Sequence, residues 1–363
     1  MDGTYGALIA MSGGVDSSVA AWLLVQRGWR CMGLTMRQYQ DTACHLAAFP
    51  TCCSPQDIED AKQVAFQLDI PHQVIDFSRQ FRTRVIDRFV AVYESGGTPN
   101  PCVDCNRYMR FRTLLEIADR HGLDYVATGH YARAERDQTT GRFLLKKAKY
   151  GRKDQSYMLC RLSQEQLARI VFPLGEMDKE QVRSIAEAQY FVNARKHDSQ
   201  DICFVPGGDY GAFLENYTGK TYPAGDFLDQ EGRVVGRHEG AVRYTLGQRK
   251  GLHLSMGVPV YVTAKDMAAN TVTVGPEEAL YTSSLTAEDL NWIAVEGLDA
   301  PLRCAAKTRY RQQEQPATLT PLPGGRVRVD FDQPQRAVTP GQAAVFYDGD
   351  TVVGAGTICF PEK

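Results

Sequence analysis

Between residue 5 and about residue 130 the chain alternates short apolar runs with amphipathic ones, and this alternation constrains the fold more than any other feature. Strands read at 5–10, at CMGLTM (31–36), at HQVIDF (72–77) and at YVATGH (125–130), with helical periods between them at 17–27, 57–68, 79–94 and 107–120. Apolar strands separated by amphipathic helices predict an α/β domain whose parallel sheet is covered on both faces. RAERDQTTGRFLLKKA (133–148) predicts a hairpin turning at Thr140-Gly141, and helical texture then continues to about 190. Beyond about 205 the texture changes to short alternating runs punctuated by Gly and Asn, such as PVYVTAKD and NTVTVG, and from about 282 it is all strand and turn. The expected organisation is an N-terminal α/β domain at 1–205, a small β-rich central domain at 206–280 and a C-terminal β-barrel at 281–363, with a sandwich as the alternative for the last.

Length and composition agree with such a chain. At roughly 150 residues per domain, 363 residues suggest two to three domains, and 43% hydrophobic with 23% charged residues is ordinary for a soluble globular protein. The formal net charge of -2 argues against wholesale attraction to a polyanion, although a local basic face suffices for nucleic acid. No stretch approaches the roughly 20 apolar residues of a membrane span. MDGTYGALIA lacks the basic start and cleavage site of a secretory signal, so a cytoplasmic location without a membrane partner is expected. Ten cysteines would suit disulfides in a small secreted chain; here their spacing matters more than their number.

The first strand runs into MSGGVDSSVA (11–20). Gly13 and Gly14 let backbone N–H groups turn toward a ligand, Ser12, Ser17 and Ser18 offer hydroxyl donors, and the following helix directs its positive end at the same point. A phosphate is well accommodated there. The loop is too short for a Walker A sequence and lacks its Lys. An acid beside phosphates makes sense if Asp16 helps to hold Mg²⁺. A plain strand–helix turn with a serine cap would not need two glycines, an acid and further hydroxyls.

Three further stretches bear on the class. GGTPNPCVDCN (96–106) places Cys102 and Cys105 just before a helix expected to begin near Asn106, where a thiol gains thiolate character. KHDSQDICFVP (196–206) sets Cys203 in a short apolar run. ATGHY (127–131) puts Gly129 and His130 at the carboxyl end of a parallel strand, where open α/β sheets bind ligands. Two well-separated cysteines beside a phosphate-accommodating loop invite sulfur transfer, one carrying a persulfide and the other resolving it.

SGGVDS resembles the pyrophosphate loop of N-type ATP pyrophosphatases, the PP-loop superfamily. Taken with TPNPCVDCN, ATGHYAR, KDQSYML, ICF, YTLGQRKGL, KTRYRQ and VTPGQAAVFY in order, nearly the whole chain resembles the tRNA-specific 2-thiouridylase family. The resemblance implies a PP-loop ATPase domain of the adenine nucleotide alpha hydrolase type, followed by the small β-rich domain and the barrel. It implies ATP with Mg²⁺, adenylation of the uracil C2 oxygen and 2-thiolation of the wobble uridine in tRNA for Lys, Glu and Gln. A cysteine desulfurase or a sulfur-relay protein would supply the sulfur. Carried over residue by residue, Ala10, Met11, Ser12, Gly13, Gly14, Val15, Asp16 and Ser17 would wrap the ATP phosphates, with Met36 and Gly129 completing the nucleotide site. Cys203 would carry the persulfide and Cys105 would be its partner, the two forming a disulfide as sulfur leaves. Asn100, Pro101 and Cys102 would line the target base, and His130, Lys153, Asp154, Gln155, Arg309, Tyr310 and Gln342 match tRNA-contacting positions. The target base would be flipped from its stack to reach the thiols. The chain departs from the family form in having Cys102 where Asp is usual, and Gln200 and Asp201 where S-T-G-I is usual.

An iron–sulfur cluster on Cys102, Cys105 and Cys203 is the alternative to cluster-free persulfide chemistry. Cys44, Cys52 and Cys53 with His45 read as loop thiols or an accessory metal or sulfur-relay site, and Cys31, Cys160, Cys304 and Cys359 as small core residues. His72, His121, His238 and His253 have no role assigned. Basic runs at Lys146, Lys147, Lys149, Arg152 and Lys153, at Arg107, Arg110 and Arg112, and at Arg309, Arg311, Arg326 and Arg328 offer faces for tRNA phosphates. A small-molecule synthetase with the same loop would leave Cys105 and Cys203 without a purpose, and a non-catalytic RNA-binding or sulfur-carrier protein would leave SGGVDS without one.

Overall fold

The computed structural model describes residues 5–38, 54–197 and 202–361. The chain divides into two compact units, one of Met1–Val85, Cys102–Gly208 and Asp350–Val352, the other of Ile86–Pro101, Asp209–Gly349 and Val353–Lys363. No helix among the described residues is long and apolar enough to cross a membrane.

The first unit is built on strands β1 (Gly6–Ala10), β2 (Arg30–Arg37), β3 (His72–Asp76) and β4 (Tyr125–Thr128), a hairpin of β5 (Ala132–Arg136) and β6 (Phe143–Lys147), and the short β7 (Ile170–Val171). Five of these form a parallel sheet in the order β3-β2-β1-β4-β7. Ala7, Leu8 and Ile9 of β1 are fully buried at the middle of this sheet. Burial on both faces is why the strand reads as an unbroken apolar run rather than an alternating one. The chain steps outward from β1 to β2 and β3, then returns to lay β4 along the other side of β1. That reversal opens a crevice at the carboxyl ends of β1 and β4, the place where such sheets take ligands.

Helix α1 (Val15–Gln26) lies on the sheet through Val19, Ala20, Ala21 and Leu24, in one core with Val182 and Ala186 of the helix Lys179–Ala188. Helix α2 (Pro55–Gln67) opens with a Ser54–Asp57 capping box and Pro55 in its first turn, a start signal written in the sequence. The 133–148 hairpin forms as expected, with Gly141 at φ +73° in its turn.

The helix expected from about Asn106 begins earlier, at Pro101, whose fixed φ suits a first helical position. It runs as α at Pro101–Asp104, widens to a π-turn at Cys105–Arg110 and returns to α at Phe111–Arg120. Cys105 therefore stands at the start of the π-turn and not ahead of the helix, while Cys102 lies in the helix's first turn.

In the second unit, β8 (Gly225–Leu228), β9 (Val234–His238), β10 (Tyr261–Asp266) and β11 (Thr271–Gly275) form a sheet in the order β10-β11-β8-β9 around Phe227, Val262 and Val272. A helix at Tyr210–Thr218, capped by Asp209 and ended by Gly219 at φ +67°, precedes it and was not evident from the β-like texture. The C-terminal strands β12 (Tyr281–Trp292), β13 (Leu302–Lys307), β14 (Gln315–Leu322), β15 (Arg326–Arg336), β16 (Ala343–Asp348) and β17 (Thr351–Ile358) follow the order β12-β15-β14-β13-β16-β17. Pairing of β12 with β17 closes them into a six-stranded barrel, which decides against a sandwich. Leu285, Ala317, Leu319, Val327, Val329 and Phe346 fill its interior.

Candidate nucleotide and thiol site

The loop between β1 and α1 is fastened at its start, where the Met11 N–H donates to the Leu34 carbonyl at 2.8 Å and the Thr35 hydroxyl to the Met11 carbonyl at 2.7 Å. Gly13 has φ +74°, and a Cβ there would overlap the backbone of Asp57. Gly14 is the extended N-cap of α1, and no side chain caps the helix. The first N–H groups of a helix have no partner within it, so an uncapped start leaves donors for an anion. Gly129, just past β4, presses on the same turn: a Cβ would lie 2.7 Å from the Ser17 nitrogen and the Asp16 carbonyl carbon.

The hydroxyls divide differently from the expectation. Ser17 Oγ donates to the Gly14 carbonyl at 2.9 Å and accepts the Ser12 N–H at 3.2 Å, and Ser18 Oγ donates to the same carbonyl at 3.1 Å. Both are buried and brace the loop, while Ser12 is exposed. Asp16 Oδ1 accepts from Lys179 Nζ at 2.6 Å and from the Tyr131 hydroxyl at 2.8 Å. Asn193 Nδ2 donates to the Gly13 carbonyl at 3.0 Å and to Ser18 Oγ at 2.9 Å. Lys196 Nζ lies 3.2 Å from the Gly13 carbonyl and 2.6 Å from carboxylate oxygens of both Asp57 and Asp60. Burial opposes the charge on Lys196, but its bonds to the two carboxylates outweigh it and raise the ammonium above its ordinary pKa. Lys179, Asn193, Lys196, Asp57 and Asp60 were missed in the sequence, which gives no sign that 178–196 folds back onto residue 13.

Cys102 is exposed, Cys105 buried and Cys203 half-buried, and all three belong to the first unit. Cys203 Sγ is 4.0 Å from Oε1 of the buried Gln38, just past β2, and its neighbour Phe204 stacks edge-on against Phe81. Met36, near the end of β2, is buried. Asn106, next to Cys105, donates to the Met158 carbonyl at 2.9 Å. Among the described residues no three His, Cys, Asp or Glu side chains come together to hold a metal ion. The described residues therefore bring no such ligand set to the cluster weighed above, and Asp16, the residue expected to help hold Mg²⁺, is paired with Lys179. Cys44, His45, Cys52, Cys53, Gln200 and Asp201 lie outside the described residues. Burial pushes the thiols of Cys31 and Cys160 up to about 11, as befits inert core positions.

His130 donates or accepts at Thr128 Oγ1 through Nδ1 at 2.7 Å, and Nε2 faces Arg110 Nη1 at 3.3 Å. An arginine only donates, so Nε2 accepts and the proton sits on Nδ1. Burial, then the Arg110 charge, push the imidazole down to about 3, so it is neutral at physiological pH. Asp154 Oδ1 accepts the Ala148 and Ser156 N–H groups, and Gln155 Oε1 accepts the Tyr131 N–H, so both hold the turn that carries the half-buried Lys153. The basic runs are partly neutralised: Lys146 pairs with Glu135, Lys149 with Glu176, Arg112 with Glu116 and Arg328 with Asp330.

In the second unit, Gln342 Nε2 donates to the carbonyls of Thr98 and Pro99 at 2.9 and 3.0 Å, and the Thr98 N–H donates to the Pro340 carbonyl. These bonds hold the segment that leads to Asn100 and Pro101. Arg309 Nη2 reaches the carbonyls of Leu246 and Ala337 and the Thr339 hydroxyl at 2.7–3.2 Å. Lys307 Nζ lies 5.7 Å from the ring centre of Tyr310.

A parallel sheet with an uncapped glycine loop at its reversal point, followed by two small β-modules, defines a PP-loop nucleotide-binding protein. Family models agree: residues 6–207 match a "tRNA methyl transferase HUP domain", 211–276 a "tRNA methyl transferase PRC-barrel domain" and 282–358 an "Aminomethyltransferase beta-barrel domain". The tRNA-specific 2-thiouridylase MnmA of Symbiobacterium thermophilum is 49% identical over 97% of this chain and 91% of its own, and that of Acetivibrio thermocellus 47% over 97% and 98%. The chain belongs to the tRNA-specific 2-thiouridylase family. A solved NMN synthetase of Francisella tularensis aligns with 54% of this chain and 67% of its own, at TM-score 0.34 and 19% identity.

Proposed function

We propose that this protein, a tRNA-uridine 2-sulfurtransferase by family, thiolates the wobble uridine by adenylation followed by sulfur transfer from a cysteine persulfide. The reading is supported above all by the uncapped loop at 11–17 and the thiols of Cys105 and Cys203 belonging to one compact unit. ATP binds with its phosphates on the donors of Ala10–Ser17, with Met36 and Gly129 beside the nucleotide. The uracil C2 oxygen attacks the α-phosphorus and pyrophosphate departs, which turns a poor leaving group into AMP. The terminal sulfur of a Cys203 persulfide adds at C2 and AMP leaves. Cys105 thiolate then attacks Cys203 Sγ, so the S–S bond to the transferred sulfur breaks, 2-thiouridine is released and a Cys105–Cys203 disulfide forms. A cysteine desulfurase or relay protein reloads the persulfide after a thiol reductant has opened the disulfide.

Asn100, Pro101 and Cys102 are proposed to face the flipped base. His130 and the turn at Lys153, Asp154 and Gln155 are proposed to serve tRNA, as are Arg309, Tyr310 and Gln342, with Arg309 and Gln342 acting through the backbone they hold. The family's tRNAs for Lys, Glu and Gln are the proposed substrates.

The test is a thiolation assay with unmodified tRNA, Mg-ATP and a sulfur donor, reading 2-thiouridine by mass spectrometry. Cys203→Ser and Cys105→Ser should each abolish product while tRNA-dependent adenylation continues. Product from Cys203→Ser at the wild-type rate would defeat the persulfide route.

A further inference from the structure

We propose that Lys196 and Asn193 are positioning residues for ATP: they pin the Gly13 carbonyl so that the Gly14 N–H and the first turn of α1 are turned toward the pyrophosphate. The inference rests on the reading of 11–17 as the ATP loop. A trans peptide is planar, so the Gly13 carbonyl and the Gly14 N–H of one unit point in opposite directions. Two donors, Asn193 Nδ2 at 3.0 Å and Lys196 Nζ at 3.2 Å, meet that carbonyl. The Gly14 N–H must then aim away from both of them. Glycine itself does not impose this choice, since Gly at φ +74° has many alternatives open to it.

The clamp is costly to build, which argues that it has a purpose. Asn193 is 3% exposed, and its Oδ1 is buried with no hydrogen-bond partner while Nδ2 serves both Gly13 and Ser18. Leaving a buried acceptor unpaired is destabilising, yet flipping the amide would set its oxygen against the Gly13 carbonyl. Lys196 is fixed in turn by Asp57 and Asp60, and Asp57 is itself held by Ser54 in the capping box. The start of α2 thus sets the lysine, the lysine sets one peptide, and that peptide sets the donors.

Titration calorimetry on the full chain would use three probes: Mg-α,β-methylene-ATP, inorganic pyrophosphate and adenosine. Lys196→Met and Asn193→Leu should weaken the first two roughly tenfold or more, the scale of a lost charge-assisted hydrogen bond. Adenosine should be unaffected, and Lys196→Arg should restore most of the loss. Equal weakening for all three probes, or none, would overturn the positioning role and reduce the pair to packing. If Lys196→Met does not fold, Asn193→Leu and Lys196→Arg still decide between these outcomes. Failure of the wild-type protein to bind the ATP analogue would instead remove the nucleotide reading itself.

Discussion

The glycine loop of the first unit and the Arg309–Gln342 region of the second were both expected to meet ligands, and in both the named side chains turn inward to the protein's own backbone. Ser17 and Ser18 hold the Gly14 carbonyl, Arg309 holds those of Leu246 and Ala337, and Gln342 those of Thr98 and Pro99. They differ in what the bracing leaves behind. At the loop it leaves an uncapped helix start, a donor set made of backbone. In the second unit it leaves a fixed segment, 98–101, whose value depends on the side chains it carries. A glycine motif states backbone geometry directly, whereas the duty of an arginine or glutamine depends on what folds beside it.

Filling the loop's cradle should give the largest effect. The Cβ of Gly129→Ala would sit 2.7 Å from the Ser17 nitrogen, and relieving it means moving the first turn of α1. Overpacking of this kind costs about 1–3 kcal/mol, or about 5- to 150-fold in affinity if it is borne by nucleotide binding. Gly151→Ala, which meets nothing within 4 Å, should leave ATP binding unchanged. Equal ATP affinity in the two variants would show that the backbone donors are not where the nucleotide sits, and the contrast between the regions would collapse.

The same contrast explains what could be read in advance. The parallel sheet, the loop and the hairpin were legible because period, glycine and turn chemistry are local. The barrel was legible only as strands, since closure depends on β12 meeting β17 more than 60 residues on in the chain, and short alternating runs serve a sandwich equally well. The start of the Cys105 helix was misplaced because CVDCN looked like loop, although Pro101 carried the start signal. Gln38, Lys179, Asn193 and Lys196 were invisible: each is an ordinary polar residue until the chain returns it to the loop or to Cys203.

Arg309→Ala sharpens the comparison from the other side. Removing a donor to three oxygens should cost about 1–3 kcal/mol, seen as a fall in Tm of several degrees, while the slope of log affinity for tRNA against log salt stays within error of the wild type. A slope smaller by about 1 with Tm unchanged would mark a direct phosphate contact, and the second unit would then present side chains where the first presents backbone.

A further expectation concerns charge at His130, whose effect is small near neutral pH. Its folded pKa of about 3 lies below the unfolded value of roughly 6.5, so below that value the unfolded chain binds a proton that the folded one refuses. Stability should fall on acidification from about pH 6.5 toward 3, by up to about 1.4 kcal/mol per pH unit for one proton, and be flat in this respect above it. His72 and His238 are shifted in the same direction, so the wild-type slope contains their shares as well. His130→Gln keeps an acceptor for Arg110 and cannot titrate; urea unfolding at pH 7, 6 and 5 should show its slope reduced by one proton or less. An unchanged slope would mean that the imidazole titrates normally. It could then carry a positive charge to tRNA, and acid should tighten wild-type binding in a way that His130→Gln does not share.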